Sequence, residues 1–366
     1  MTCGVIKWSS EAAEVNLTLK IIFTRLALNS FSSTPVPSQR PLPFAWVCVG
    51  LIAVLLGAMA LSITVGYRIY GPLQVWQALF AFDGSEAATV ISTLRLPRAV
   101  IAPLVGAGLG IAGVQVQTLS RNRIASPDTL GLNAGASLAV VVASTVFGVG
   151  SLMGLSLTAA FGALVTSLVV FAIAAGAGGL SPIRIVLIGV TIAGLGQSIV
   201  QIILTTNEAQ LQNLLFWLAG SFVDRPMSLA INGGPFIVIG VAMALALARP
   251  LDAMQADDET ASGLGVPVTL VRIGCFVSVS LLTGASVAMA GPVSFVGLVV
   301  PHAARRLVGL RHGRQIIAAG LFGAIYATLA DVAARFVIFP VEAPVGAITA
   351  VVGGIVLVIL LRRRAA

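Results

Sequence analysis

The chain has 366 residues, 58% of them hydrophobic and only 9% charged, with a mean hydropathy of +1.03. Soluble domains carry roughly 25% charged residues, so the composition excludes a soluble globular protein and describes one that crosses a membrane several times. The formal net charge of +8 does not signal nucleic acid, because the only lysines are Lys7 and Lys20 and no basic run is interleaved with aromatics.

Residues 1–43 differ from the remainder. Leu17 to Leu28 is apolar but short and holds Lys20 and Arg25, so it falls below the roughly 20 apolar residues that a span needs. The expectation is an interfacial or poorly structured extension, followed by a proline-rich linker from Ser32 to Pro43. No small-residue cleavage site follows a signal-like core, so no cleaved signal peptide is expected.

A membrane domain is expected over 44–364, all α-helical, with about ten spans. They are placed near 44–66, 97–118, 129–149, 152–175, 183–206, 229–248, 269–290, 292–308, 315–337 and 343–361. With the N-terminus inside, sixteen of the 21 Lys and Arg fall on the cytoplasmic side and five outside. The positive-inside rule therefore predicts ten spans with both termini in the cytoplasm. The 39 glycines suit helices that pack closely through small residues.

The longest polar interruption runs from Arg249 to Val268 and holds Asp252, Asp257, Asp258 and Glu259. Acids early, then Gly263 and Gly265, suit a short helix, since carboxylates favour the positive end of a helix dipole and glycine readily ends a helix. It reads either as a solvated loop or as a docking knob for a partner outside the membrane.

Several polar residues need a reason. Arg95 and Arg98 flank Pro97 at the predicted outer start of a span, three residues apart and so on one face. They read either as snorkelling to lipid phosphate or as a fixed cationic pair for an acidic partner. Arg335 follows Asp331 by four residues, the favourable order for an ion pair; a proton-relay role for Asp331 is the competing reading. His302 reads as a structural histidine rather than a metal ligand, and His312 is expected in a cytoplasmic loop. Cys3, Cys48 and Cys275 lack the paired spacing of a metal or redox site. No Gly-Lys pair occurs anywhere, which excludes a Walker-type nucleotide loop, and no Ser/His/Asp or Cys/His arrangement recommends a membrane hydrolase.

Residues from about 90 to 364 resemble a known family. The matching stretches are Leu94–Arg98, Arg121–Gly131, Asn133–Ser137, Phe216–Ser221, Leu264–Val266, Gly291–Arg305, Asp331–Arg335 and Glu342–Gly346. In this order they are similar to the permease subunits of iron–siderophore and vitamin B12 ABC importers. The resemblance implies a type II importer with ten helices per permease, a second permease subunit (a copy or a paralogue), two cytoplasmic ABC ATPases and an external substrate-binding protein. It implies a bacterial cytoplasmic-membrane protein that is not itself an enzyme and has no cofactor of its own, ATP and magnesium being held by the ATPases. Cargo would be an iron(III)–siderophore-type chelate, with vitamin B12 or haem as alternatives.

By resemblance, Arg95, Arg98 and Arg335 would meet glutamates of the binding protein. The 251–268 segment would form coupling helices on the ATPase, with Leu251, Met254, Asp257, Asp258, Glu259, Leu264 and Gly265 as the residues involved. Gln197, Gln201, Phe216 and Trp217 would border the translocation path. The chain departs from the family at Asn122-Arg123, where Asn-Pro is usual, near Ser262-Gly263, and at Ala343, where leucine is usual. From another class, a proton-coupled secondary transporter using Asp331 with Arg335, and a membrane-embedded enzyme, remain as competitors.

Overall fold

The computed structural model describes residues 43–81, 83–176, 181–206, 214–215, 217–255, 257–338 and 341–365, with side chains through 359. The extension expected over 1–43 and the path residue Phe216 lie outside the described residues. Fourteen α-helices follow in order among the described residues. They are α1 (Phe44–Thr64), α2 (Pro72–Phe80), α3 (Glu86–Val90), α4 (Leu96–Leu119), α5 (Leu132–Phe147), α6 (Leu152–Gly176) and α7 (Pro182–Thr206). The others are α8 (Met227–Ala246), α9 (Ala248–Ala253), α10 (Asp258–Gly263), α11 (Val268–Ala290), α12 (Val296–Val308), α13 (His312–Val337) and α14 (Val345–Ala365). Extended pairing is limited to one isolated bridge, Ile338 with Val341, among the described residues.

Lipid offers no hydrogen bonds, so each spanning segment satisfies its backbone within itself as a helix. Among the described residues, seven stretches are long and apolar enough to cross: α1, the continuous Glu86–Leu119 run, α6, α7, α8, α11 and α13. Shorter apolar helices cover Leu132–Phe147 and Val345–Ile359. The remaining predicted span, 292–308, folds as a 13-residue helix, α12. At 1.5 Å per residue it reaches about 20 Å, short of a full crossing of about 30 Å. The Gly291–Phe295 stretch ahead of it stays non-helical, with Gly291 and Phe295 at positive φ. Asp128, on the 3₁₀ turn Pro127–Leu130, takes hydrogen bonds from the Phe295 N–H and Ser294 at the start of this half-helix, and Asn133 donates to the same carboxylate.

Helix α4 is the hub, buried along most of its length and packed against α13, α11, α12, α8 and α1. At Gly106 and Gly323 its contact with α13 has no side chain between the backbones. A Cβ on Gly106 would lie 2.0 Å from the Gly323 carbonyl oxygen, and one on Gly323 would lie 2.0 Å from that of Gly106. This is the close approach that small residues allow, and it lets dispersion forces substitute for the hydrophobic drive that lipid cannot supply. Helices α5, α6 and α7 pack on one another as a second group, which meets the hub mainly through α11.

The span expected to start at residue 97 begins eleven residues earlier. Ser85 caps Glu86, and the helix continues through a π-turn at Ile91–Arg95 into α4. Pro97 explains the turn: a proline ring collides with the carbonyl four residues back, and a one-residue dilation upstream relieves it. Arg95 and Arg98 therefore lie inside a continuous helix and not at its start.

Candidate functional site

Two opposite ends of the bundle carry the polar residues. At one end, the three arginines expected to face outward are turned in. Arg95, Arg98 and Arg335 are 7%, 8% and 5% exposed, and Asp331 is fully buried. Arg98 donates to Asp331 Oδ1 (2.8 Å) and to Glu342 Oε2 (2.7 Å), while Arg335 donates to the other Asp331 oxygen. Arg335 also donates to the Ser62 and Val65 carbonyls, both at 2.7 Å. Arg95 donates to the Ile63 and Thr64 carbonyls at 2.8 and 2.9 Å and lies over the Tyr70 ring.

Two guanidiniums thus satisfy the last carbonyls of α1, which no helix can satisfy internally and which favour cations. Arg98, Arg335, Asp331 and Glu342 form a neutral set of two charges of each sign. The fixed cationic pair expected to face an outside partner has internal partners here: Arg95 reaches the last carbonyls of α1 while Arg98 reaches Asp331 on α13. Of the internal partners, Glu342 is partly open to solvent, its side chain 35% exposed.

A second knot lies beside this cluster. The Ser221 N–H donates to the Ala290 carbonyl (2.8 Å), that of Gly346 to Gly220 (3.1 Å) and that of Ala343 to Ala334 (3.0 Å). The motif stretches around residues 217–221, 290–295 and 342–346 are thereby tied backbone to backbone. Trp217 is buried in this knot, with its carbonyl against Gly291, and it lines a cavity together with Leu152, Leu155, Val223 and Arg225.

At the opposite end, the acidic segment forms α9 and α10. Asp257 caps α10 by accepting the Thr260 N–H. The Thr260 backbone and hydroxyl hold its carboxyl below the ordinary carboxylate range, with Arg121 adding to this. Because the folded value is depressed, the cap is fully formed at neutral pH and weakens only as pH falls through that lowered value. The helix stops in a Schellman motif: Val266 N–H to Ala261 (3.0 Å) and Gly265 N–H to Ser262 (2.9 Å), with Gly265 at φ +81°.

Asp258 is braced by Arg121 (3.0 Å) and Arg272 (2.6 Å). Leu251 and Met254 are buried, so they anchor the segment and offer no outer contact, which corrects their expected place on the docking face. What stands exposed is a ridge of Asp257, Glu259, Gly265 and Leu264, the last 71% exposed. His312, expected in a loop, is instead the first residue of α13 and 2% exposed. His302 bonds back to the Leu298 carbonyl of its own helix (3.1 Å).

Gln197 and Gln201 lie on the exposed face of α7, and their amides have no partner among the described residues. Thr191, Ser198 and Thr205 share that flank and fold their hydroxyls onto carbonyls of their own helix at 2.8–2.9 Å. Hydroxyls can hide in this way; two glutamines cannot. An amide left unpaired in hydrocarbon costs several kcal/mol, which disfavours lipid along this face.

With that geometry in place, the comparisons are specific. Residues 51–363 match the model of the FecCD transport family. The chain is 36% identical over 320 residues to the probable siderophore transport system permease protein YfiZ of Bacillus subtilis, covering 87% of this chain and 96% of that one. It is 39% identical over 305 residues to the Fe(3+)-citrate import system permease protein YfmD of the same organism, covering 83% and 90%. The ferric enterobactin transport system permease protein FepD of Escherichia coli is 36% identical over 317 residues, covering 86% and 94%. Among solved structures, an inward-facing conformation of a metal-chelate type ABC transporter superposes with a TM-score of 0.75 at 27% identity, covering 87% of this chain and 99% of that one.

Proposed function

The chain belongs to the FecCD transport family, and from that premise we propose that it is the membrane-crossing permease of an ATP-driven importer for iron(III)–siderophore-type chelates. The observation that carries the mechanism is the α9–α10 unit. Its second helix, α10, is capped at both ends and braced by Arg121 and Arg272, and the unit presents an exposed ridge beyond the bundle. Such a rigid protrusion suits seating in a partner ATPase. Asp257, Glu259, Leu264 and Gly265 make the contact, Asp258 sets the angle, and Leu251 with Met254 root the unit. ATP and magnesium belong to two ATPase subunits, since this chain has no phosphate-binding loop. Counted over ten crossings, the positive-inside bias supports a cytoplasmic position for this end and for both termini in a bacterial cell.

At the outer end a substrate-binding protein docks beside the arginine cluster. Arg95 and Arg335 hold α1 in place, and Arg98 is the docking contact, because its partner Glu342 is open enough for an incoming glutamate to replace. The exposed amide face of α7, with Gln197 and Gln201, borders the path or a second permease subunit, an identical or a paralogous chain. Cargo passes by alternating access, with nucleotide-driven closure of the ATPases moving the α9–α10 unit. Selection among iron chelates, vitamin B12 and haem resides in the binding protein.

The test is reconstitution. The tagged chain, purified with the ATPase it retains, should import a radio-iron chelate into vesicles only with ATP and binding protein present; import by the chain alone without nucleotide overturns the reading. The proton-coupled alternative makes a different demand, a carboxylate free to exchange its proton. Asp331 instead accepts from two guanidiniums at once, and uptake that collapses with the proton gradient but ignores ATP would favour it.

A further inference from the structure

Beneath the exposed ridge, three helices meet at one imidazole. Asp252 of α9 accepts the His312 backbone N–H at 2.8 Å and lies 2.8 Å from His312 Nδ1. The other ring nitrogen, Nε2, lies 2.8 Å from Thr118 Oγ1 on α4. Gln255 completes the frame, donating to Asp252 (3.1 Å) and to the Leu310 carbonyl (2.9 Å). His312 thus joins α9 to both members of the α4–α13 pair.

The order Thr–His–Asp is that of a hydrolase triad, but its hydroxyl is not presented to a substrate. Thr118 lies inside α4 and donates to the Val114 carbonyl at 2.9 Å. Its oxygen is then left to accept from Nε2–H, or the hydroxyl turns from Val114 to donate to a neutral Nε2. Either way both ring nitrogens are bound to fixed partners, and the arrangement is a clasp.

The Asp258 pairs with Arg121 and Arg272 are a second link from this segment, through a carboxylate that is 40% exposed against 37% for that of Asp252. The Asp252 bonds fall on a shielded ring and on the positive end of a 26-residue helix, where a carboxylate is favoured. That helix spans about 39 Å and carries Asp331 and Arg335 at its far end.

We propose that Asp252 and His312 are positioning residues for coupling: they carry the displacement of the α9–α10 unit into the α4–α13 pair, and so to the buried charge cluster at the opposite end. This rests on the importer function proposed above. The test uses the complete transporter, purified through a tag on this chain and reconstituted in vesicles, with radio-iron chelate imported per ATP hydrolysed as the readout. Asp252→Ala and His312→Ala should keep ATPase capture and hydrolysis while the import-to-hydrolysis ratio falls about tenfold, within the range of a typical coupling energy. Asp252→Asn, which retains an acceptor oxygen, should restore most of the ratio.

An unchanged ratio in both alanine variants overturns the clasp. So does a parallel fall in capture, hydrolysis and melting temperature at constant ratio, which marks a structural role only. A wild-type complex that imports without nucleotide, or not at all with it, instead overturns the importer reading on which the clasp depends.

Discussion

Asp331 is shut from solvent and accepts from Arg98 and Arg335 together. Removing its charge would strand two guanidiniums, and breaking such a buried set costs about 3–5 kcal/mol. Asp331→Asn is therefore expected to lower the thermal midpoint of the detergent-purified protein sharply, as read by loss of the monodisperse peak on heating. Glu342 is the contrasting case, because its carboxylate is partly open. Glu342→Gln should leave folding intact and tighten binding-protein capture by releasing Arg98, whereas Arg98→Glu should abolish it; equal capture by all three proteins would remove Arg98 from the docking surface. The Asp331–Arg335 pair was legible from spacing alone. The addition of Arg98 and Glu342 was not, since their contact joins residues 244 positions apart.

At the scale of elements, the 249–268 segment was legible because capping is local chemistry: an acid before the first turn and a glycine after the last specify a short helix whatever surrounds it. Which of its residues face inward was not legible, since burial of Leu251 and Met254 is set by α13 and the neighbouring helices. Gly265 isolates one term. It has φ +81° and open space around it, so Gly265→Ala adds backbone strain of about 1–2 kcal/mol with no collision. Weaker ATPase capture at unchanged bundle stability is the expected result, measured by pull-down beside a melting curve. Gly106→Ala should do the reverse, since its Cβ would strike the Gly323 backbone; overpacking of this kind costs about 1–3 kcal/mol and should appear as a lower melting temperature. Helix α12 was expected as a full span, and its half-length was hidden by the apolar run that precedes it.

Across the whole molecule, hydropathy and arginine placement outlined the spans, because lipid imposes its demand on every segment alike. What hydropathy misses is which face of a span meets lipid and which meets protein; α4 and α1 are both apolar, yet one is the hub and the other is largely open. The α7 face is where that difference becomes testable. Gln197→Leu with Gln201→Leu should preserve expression and ATPase capture but slow chelate uptake or split the permease pair, resolved by transport rate against cross-linked dimer yield. The seam between α4 and α13 carries one more implication. At Gly106 and Gly323 the two main chains touch with no side chain as cushion, so neither helix slides past the other there, and the pair is expected to travel as a single beam. A gate is then expected to swing elsewhere, with the α5–α7 block, hung on the beam largely through α11, as the leaf of the door left free to turn.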